Sequence, residues 1–466
     1  MLQLLRHGSA RWLLFLPLLE TGLLVLCINA AAHLRYLGDE SITVDFSLYL
    51  WARALLFALA IVAGMAALGL YQPHIRESWV GLLARQAVGF VLGGVALIIL
   101  YYAWPHAYIG RGIFGLALVL GFIAIAIFRL AFMRLIDVEA LKRRILVLGS
   151  GRRASVISRQ MRRRADRRGF HVVGFVRMGD EVTAVPETRL LTIDVPLQQW
   201  ARKHQINEIV VGPDDRRGGL PMEELLDCKQ HGIVVTELAT FFERESGKLK
   251  LPLVEPSWLV FSDGFNASPL RVASKRMFDL STALIVLVLT WPFMLLVALA
   301  IRIESGRGQP ILYRQDRVGE HGTVFALAKF RSMRTDAELD GVARWAAPGD
   351  SRVTRVGRVI RKVRLDELPQ LVNVLRGEMS LIGPRPERPQ FVAELATKIR
   401  YYNLRHCVKP GLAGWAQLRY PYGASEEDAA EKLKYDLFYV KNHNLLMDVL
   451  ILIQTVEIVL FGRGAR

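Results

Sequence analysis

Four long apolar stretches in the first 134 residues constrain the fold of this chain more than any other feature. They cover about residues 12–34, 47–70, 82–102 and 112–133. Each is long enough to cross the hydrocarbon core of a bilayer, which takes roughly 20 residues. The first has the apolar character of a signal peptide, but no small-residue cleavage site precedes the second stretch. The sequence therefore predicts a membrane protein in which residues 1–135 form a four-helix transmembrane unit.

The polar residues around these stretches predict their orientation. Arg6 and Arg11 precede the first stretch, and the loop after it is mainly acidic. The second loop carries Arg76 and Arg85, and basic residues cluster again after the fourth stretch. Because positively charged loops stay in the cytoplasm, both ends of the four-helix unit are expected there.

The rest of the chain is basic. The 466 residues suggest about three domains. Hydrophobic residues make up 52% of the chain, yet 22% is charged and the formal net charge is +17. Such an excess favours nucleic acid, anionic lipid or phosphorylated substrates as partners. Cys27, Cys228 and Cys407 lie far apart, which argues against a disulfide framework or a zinc site and fits a reducing compartment.

Residues 143–265 have the pattern of a Rossmann-like α/β domain. Strand-like runs at 144–148, 171–176, 208–211 and 232–236 alternate with helical segments, which predicts a parallel sheet. A GxGxxA turn at 149–154 follows the first strand and opens a helix expected over 154–164. Val176 and Arg177 end the second strand, where a dinucleotide site has an acidic residue for the ribose. Two interpretations stay open: a nucleotide site, or a turn that serves the fold of a regulatory or assembly domain.

A fifth apolar run lies at residues 280–301, after a linker over 247–270 that is expected to be rich in strand. Lys275 and Arg276 precede the run, and Arg302 and Arg307 follow it. Basic residues at both ends disfavour placing either end outside, and the central Pro292 favours a kink. We predict a re-entrant helix hairpin over 278–303, which leaves the rest of the chain in the cytoplasm. The alternative is a fifth straight span followed by a periplasmic domain.

An acidic pair, Asp366 and Glu367, stands at the predicted start of a helix. Apolar residues follow at helical spacing, and Gly377 is the expected end. The positive end of that helix would favour the ionised forms of both carboxylates. In the simpler interpretation, this is a capped surface helix with a solvated run of charge.

Several cations beside Pro/Gly turns accompany the pair. Strands are expected at 310–313 and 323–330, with Arg314 to Gly319 leading away from the first. Arginine binds phosphate oxygens bidentately, so these cations favour a diphosphate clamp; they are Lys329, Arg331, Arg385 and Lys409. Mg²⁺ needs only one or two carboxylates in addition to substrate phosphates and waters. Residues 445–461 are apolar with polar interruptions, which is typical of an amphipathic helix on a membrane or of core packing.

Motifs of other chemistries are absent from the sequence. It contains no P-loop, no HExxH and no GxSxG, and no tyrosine has a lysine four residues later. Four ordered motifs remain, at the end of the chain: KFRSM at 329–333, DELPQLVNVLRG at 366–377, MSLIGPRPE at 379–387 and KPGLAGWAQ at 409–417.

These motifs resemble the bacterial sugar transferase family, the monotopic phosphoglycosyl transferases that start exopolysaccharide and O-antigen assembly. The resemblance covers about residues 270–466 and implies an α+β catalytic domain there. The preceding spans and α/β domain resemble the long form of the family. Residues 215–222 (DRRGGLPM) and 256–258 (PSW) look like its undecaprenyl-phosphate glucose phosphotransferase branch.

The resemblance implies transfer of a sugar-1-phosphate, with glucose or galactose expected, from a UDP-sugar to undecaprenyl phosphate with release of UMP. It implies that Asp366 is the nucleophile, that Glu367 holds Mg²⁺, and that Lys329 and Arg385 contact phosphate. Further candidates for substrate binding are Arg331, Lys409, Gln417 and Arg314. In the family's shorter members a serine precedes the proline of the membrane helix; here Trp291 does.

The expected location is the bacterial inner membrane, with the catalytic domain on its cytoplasmic face. Membrane lipid is an expected partner, nucleic acid is not, and a homodimer is plausible with the bulky extra domain. Two other functions stay open. One is a non-catalytic membrane scaffold of a polysaccharide export complex. The other is a membrane-bound nucleotide-sugar dehydratase, which the missing tyrosine–lysine pair disfavours.

Overall fold

The structure is a computed structural model, and twelve parts of the chain are described below. These are residues 8–35, 40–71, 79–135, 142–160, 169–215, 219–262, 264–265, 268–306, 308–335, 352–420, 423 and 425–461. The chain forms two compact units, Met1–Phe241 and Phe242–Arg466. Some of the residues used in the predictions fall outside the described ranges: Arg6, Arg76, positions 161–164 of the helix after the glycine turn, positions 216–218 of the DRRGGLPM motif, and Arg307.

The first unit begins with four apolar helices. They are α1 (Gly8–Arg35), α2 (Glu40–Ala67), α3 (Trp79–Ala103) and α4 (Arg111–Leu135). Each contains a segment long and apolar enough to cross a membrane. A charged pair lies buried among them, because Arg129 Nε donates to Glu20 Oε1 over 2.5 Å and Tyr71 Oη also donates to Glu20. Separating the two charges of a buried ion pair is costly, so this pair fixes the packing of α1 against α4.

The remainder of the first unit is a parallel sheet with helices. Its strands are β1 (Arg143–Leu148), β2 (Phe170–Val176), β3 (Leu190–Leu191), β4 (Glu208–Val211) and β5 (Val234–Glu237), in the order β3-β2-β1-β4-β5. Its helices are α5 (Arg152–Gln160), α6 (Leu197–Lys203), α7 (Met222–Gln230) and α8 (Leu238–Ser246). The boundary between the units falls within α8. The predicted parallel sheet is confirmed, with all four strand pairings parallel.

The second unit is a mixed α/β structure with short strands. Its strands are β6 (Leu312–Val318), β7 (Val324–Phe330), β8 (Ser380–Ile382) and β9 (Gly411–Ala413); β6 pairs antiparallel with β7, and β8 pairs parallel with β9. Its helices are α9 (Pro256–Phe261), α10 (Pro269–Ser305), α11 (Arg355–Lys362), α12 (Gln370–Arg376), α13 (Pro389–Lys398), α14 (Trp415–Arg419), α15 (Glu426–Asn442) and α16 (Leu445–Phe461).

Two local predictions in this unit are wrong. The linker after residue 247 forms a 3₁₀ turn, Leu251–Leu253, and helix α9 instead of strands. Pro252 and Pro256 stand at the first or second position of these helical segments. The N–H groups there have no partner within a helix, so proline loses no hydrogen bond. The strand predicted at 310–313 continues to Val318, so Arg314 lies within β6 and not on a loop.

Helix α10 is 37 residues long and runs through Pro292 without a change of helix type. Near its start, Asp279 Oδ1 accepts from Ser380 Oγ at 3.0 Å and from Leu381 N at 3.1 Å. At its end, Glu304 Oε1 accepts from Arg355 N at 2.7 Å. Between these two anchors its large apolar side chains are mostly exposed; Leu289 is 66% exposed and Leu296 62%. Both ends of the helix therefore contact the second unit, while its middle presents apolar surface.

Helix α16 packs into the core over its first half. Ile451 is fully buried, and so is Asp448, which accepts from Lys275 Nζ at 2.9 Å and from Tyr439 Oη at 2.7 Å. Of the two interpretations that the sequence left open for this segment, core packing applies to these residues.

Candidate active site

The acidic pair lies on a tight turn immediately before α12. Arg364 adopts the left-handed region with φ 58°, and residues Leu365–Glu367 form one 3₁₀ turn. Helix α12 then starts after Pro369 and ends at Gly377, whose φ is 86°. The predicted end of the helix is confirmed, whereas its predicted start is one turn too early. Asp366 and Glu367 are therefore presented by a turn that begins after a left-handed residue and leads directly into α12.

Helix α12 is held in register with β7 by one buried amide. Asn373 Oδ1 accepts from Ala328 N at 3.1 Å, and its Nδ2 donates to Ala326 O at 2.9 Å. Asn373 is 1% exposed, and an unpaired amide would be costly there. Because Lys329 is the next residue of β7, this contact also sets the distance between Lys329 and the acidic pair.

Two glycine-containing loops pack backbone against backbone beside the turn. Gly383 N donates to Ala413 O at 2.9 Å, and Gly411 N donates to Pro384 O at 2.9 Å. A Cβ on Gly383 would lie 2.3 Å from Lys409 O, so only glycine allows this approach. The MSLIGPRPE and KPGLAGWAQ motifs thus form one assembly, and its first loop carries Arg385.

Arg385 contacts the acidic pair directly. Its Nη2 donates to Glu367 Oε1 over 2.9 Å, and Arg364 Nη1 lies 3.9 Å from Glu367 Oε2. Burial alone would raise the pKa of Glu367, but Arg385 and Arg364 outweigh it and hold that pKa below its usual value. Glu367 is therefore a stable anion at neutral pH.

Asp366 has the opposite shift. Burial and the neighbouring charge of Glu367 raise its pKa to about 6, although Lys329, Arg361 and Arg385 oppose them. The prediction that the helix end favours both ionised forms is therefore wrong for Asp366, because burial and the charge of Glu367 outweigh the neighbouring cations. Burial, together with Arg317 and Arg385, also lowers the pKa of Lys329 to about 8. A carboxylate with a raised pKa beside a lysine with a lowered one is typical of reactive sites.

Strand alternation separates Arg314 from the site and brings in Arg317, which no motif in the sequence marks as a site residue. Tyr313 stands opposite Lys329 in the β6–β7 pairing, and Arg317 opposite Phe325. Side chains two apart share a face, so Arg317 is on the face of Lys329 and Arg314 is on the other, exposed face. Extending the predicted strand to Val318 would have revealed this alternation.

Three other predicted residues lie elsewhere in the second unit. Arg331 is 7% exposed and donates to Gln309 Oε1 at 3.4 Å, and its Nε and Nη2 have no partner among the described residues. The ammonium of Lys409 lies 3.6 Å from the Cβ position of Gly377, at the far end of α12 from the acidic pair. Gln417 is on α14, with its Nε2 buried and without a described partner. The described structure therefore joins Asp366, Glu367, Lys329 and Arg385, and shows no hydrogen bond or ion pair between these three residues and the acidic pair.

The residues fit Mg²⁺ only if substrate completes the coordination. Within the described part of the chain, no group of three or more His, Cys, Asp or Glu side chains could hold a metal. Glu367 is an ionised carboxylate beside a second one, and Mg²⁺ is commonly held by one or two carboxylates with substrate phosphates and waters. The donor set therefore suits a cation that arrives with a diphosphate.

The glycine turn of the first unit has its donors occupied by the chain's own carboxylates. Asp214 accepts from Arg152 N at 2.8 Å and from Arg153 N at 2.7 Å. Glu181 Oε1 accepts from Ser150 N at 2.5 Å. These N–H groups are the ones that hold the pyrophosphate in a dinucleotide-binding turn. Of the two interpretations left open by the sequence, this geometry favours a turn that serves the fold.

The second unit matches a known family. A family model described as Bacterial sugar transferase matches residues 270–462. A UDP-N-acetylgalactosamine-undecaprenyl-phosphate N-acetylgalactosaminephosphotransferase of Aeromonas hydrophila is 41% identical over 253 residues, which are 54% of this chain and 58% of that protein. An undecaprenyl-phosphate glucose phosphotransferase of Komagataeibacter xylinus is 43% identical over 196 residues, which are 41% of this chain and 36% of that protein.

A shorter relative is matched over most of its length. The uncharacterized sugar transferase EpsL of Bacillus subtilis is 39% identical over 192 residues, which are 41% of this chain and 90% of that protein. By contrast, the matches span only 58% and 36% of the two longer relatives. A nearly complete match at this identity, together with the family model, shows that the chain belongs to the bacterial sugar transferase family.

Proposed function

We propose that this protein transfers a sugar-1-phosphate from a UDP-sugar to undecaprenyl phosphate, releases UMP, and thereby starts the synthesis of an exopolysaccharide or O-antigen. The observation that carries the proposal is the contact of Arg385 with Glu367, 2.9 Å apart, next to Asp366 and Lys329. Relatives named for such transfers to undecaprenyl phosphate support the same reaction.

The proposed reaction has two steps at one carboxylate. An Asp366 oxygen attacks the phosphorus that bears the sugar; the bond to the UMP oxygen breaks, and UMP leaves. The phosphate oxygen of undecaprenyl phosphate then attacks the same phosphorus and frees Asp366. One site can thus serve a soluble anion and a lipid in turn.

The neighbouring side chains divide the remaining work. Lys329 and Arg385 bind phosphate oxygens and stabilise the charge that develops on them. Arg385 also holds the Glu367 carboxylate in place. Glu367, with Asp366 beside it, would hold Mg²⁺, which when bound neutralises diphosphate charge.

We also propose that α10 enters the membrane and returns to the cytoplasmic face, so that the site lies at the membrane surface. Support comes from the anchoring of both helix ends on one unit, from the exposed apolar middle, and from Pro292, which removes one backbone hydrogen bond. The anionic lipid surface would attract the basic residues near the site.

A homodimer stays a prediction.

Release of UMP from a panel of UDP-sugars tests the proposed reaction. The panel contains UDP-glucose, UDP-galactose and UDP-N-acetylgalactosamine, each with undecaprenyl phosphate and Mg²⁺. We expect one sugar to give UMP and a lipid-linked product in equal amounts. No release with any sugar would reject the reaction and favour the scaffold function.

The pH dependence of kcat/KM for the UDP-sugar is expected to be bell-shaped. Asp366 must be ionised to attack, so activity falls as the pH drops through its pKa of about 6. Lys329 must be protonated to bind phosphate, so activity falls as the pH rises through its pKa of about 8. Initial rates at low UDP-sugar report these groups in the free protein. In Lys329→Arg the basic limb should move to higher pH; an unmoved limb would contradict this assignment.

Reporter fusions test the path of α10. A reporter that is active only in the periplasm should be inactive when fused after residue 310, because both flanks of the helix are basic. The same reporter fused after residue 38, between α1 and α2, is the positive control and should be active. Periplasmic activity after residue 310 would show a straight span and exclude the hairpin.

A further inference from the structure

The loop that carries Arg385 is irregular, yet four consecutive backbone carbonyls in it are bonded. Gly411 N donates to Pro384 O, and Val318 N donates to Glu387 O, each over 2.9 Å. The two carbonyls between them are bonded by arginine side chains. A buried irregular backbone needs such partners, and here they come from two separate elements.

Arg405 holds the first of these central carbonyls. It lies on the 3₁₀ segment Tyr402–Cys407 and is only 6% exposed. Its Nη2 donates to Arg385 O at 3.0 Å and to Asp436 Oδ2 at 2.8 Å, and its Nη1 donates to Tyr402 Oη at 2.7 Å. Because the guanidinium group is planar and rigid, bonds to Asp436 and Tyr402 fix the direction of the donor that reaches the loop.

Arg317, on β6, holds the second central carbonyl. Its Nη1 donates to Pro386 O at 3.0 Å, and its Nη2 donates to Gln315 Oε1 at 2.6 Å. Its side chain is 17% exposed and lies on the face of β6 that Lys329 shares across the strand pair. The carbonyls of residues 385 and 386 are thus bonded by two charged donors.

The side chain of Arg385 is by contrast 42% exposed, although it reaches Glu367. A long, exposed side chain has many rotamers, so its position at the acidic pair depends strongly on where its backbone is held. We propose that Arg405 and Arg317 are positioning residues, which fix the loop so that Arg385 meets the acidic pair and the substrate phosphate. This inference rests on the proposed function for its kinetic consequence, but not for its effect on ligand binding.

Two variants of one buried ion pair separate positioning from folding. Asp436→Asn removes the negative charge, but its amide oxygen can still accept from Arg405 Nη2, so the donor to the loop keeps its direction. The double variant Arg405→Met with Asp436→Asn removes that donor and leaves no buried charge unpaired, so the usual penalty for breaking a buried pair is avoided. Both are made in the full-length chain in lipid nanodiscs, and their melting temperatures are compared first.

The first readout is the attachment of phosphosugar to the protein from a UDP-sugar that gives UMP, without lipid acceptor. We expect the double variant to lose about 10- to 100-fold in rate constant, the range for misplaced supporting groups, while the fraction of chains labelled stays unchanged. Asp436→Asn should stay within about threefold of wild type. A lower labelled fraction with an unchanged rate constant would mean a structural role only and would overturn the inference.

Binding of UDP, measured by calorimetry, is the second readout and does not need turnover. The double variant should bind UDP at least about fivefold more weakly than Asp436→Asn, since Arg385 would no longer be held for the phosphate. Equal affinities would overturn the positioning role. Wild-type protein that binds UDP but is never labelled would reject the proposed reaction alone, and wild-type protein that does neither would reject both.

Discussion

Asp366→Asn is expected to reduce UMP release by roughly 10⁴-fold or more, the scale observed when a catalytic nucleophile is removed. The amide has the shape of the carboxylate but lacks the anionic oxygen that would attack phosphorus. Intact-mass measurement should show no phosphosugar on this variant. Asp316→Asn, which changes an exposed carboxylate on β6, is the matched control and should keep full activity.

Melting temperatures show whether a loss of activity in Asp366→Asn comes from unfolding. Burial and the charge of Glu367 raise the pKa of Asp366 to about 6, so its ionised form, although it still predominates at neutral pH, costs the folded protein free energy relative to the unfolded chain. An uncharged amide removes that penalty, and Asp366→Asn should therefore melt no lower than wild type. Full transfer activity in a well-folded Asp366→Asn variant would reject the assignment of Asp366 as nucleophile.

Glu367→Gln is expected to slow turnover by about 10- to 100-fold and to raise the Mg²⁺ concentration needed for half of the maximal rate. Gln keeps an oxygen that can accept from Arg385 but loses the negative charge that would hold the cation. The measurement is UMP release over a Mg²⁺ titration at fixed UDP-sugar. Glu320→Gln changes a carboxylate on another turn of the second unit and should leave the titration unchanged. If Glu367→Gln also has the wild-type Mg²⁺ dependence, Glu367 is not the residue that holds the metal.

Hydropathy and period explain what could be predicted of the fold. Long apolar stretches predicted the five long helices. Short apolar runs that alternate with helical segments predicted the parallel sheet. In both cases the pattern follows from which residues are removed from water. The prediction of strands in the linker was wrong because apolar residues beside proline are typical of extended chain. Here Pro252 and Pro256 instead stand in the first turn of helical segments. The predicted end of β6 was too early because Arg314 and Asp316 are polar, which is typical of a loop. In the structure they lie on the exposed face of the strand.

Site residues that stand in a sequence motif could be predicted. Side chains that support the site by bonding backbone groups far away in sequence could not. Asp366, Glu367 and Arg385 stand in ordered motifs, and the structure brings them together. Arg405 stands in none of the four motifs and acts on a carbonyl 20 residues away in sequence, and Asn373, although it lies in the motif at 366–377, acts on backbone groups about 45 residues away. No local pattern records such contacts, because they depend on how the chain folds back.

A single mass measurement shows most directly whether Asp366 carries the phosphosugar between the two substrates. Wild-type protein is incubated with the active UDP-sugar and Mg²⁺ without lipid acceptor, digested, and its peptides are mapped. We expect one peptide to gain the mass of a sugar phosphate at Asp366 and to lose it when undecaprenyl phosphate is added. Turnover of both substrates with no label on Asp366, or with a label that the lipid cannot remove, would show that Asp366 is not the carrier.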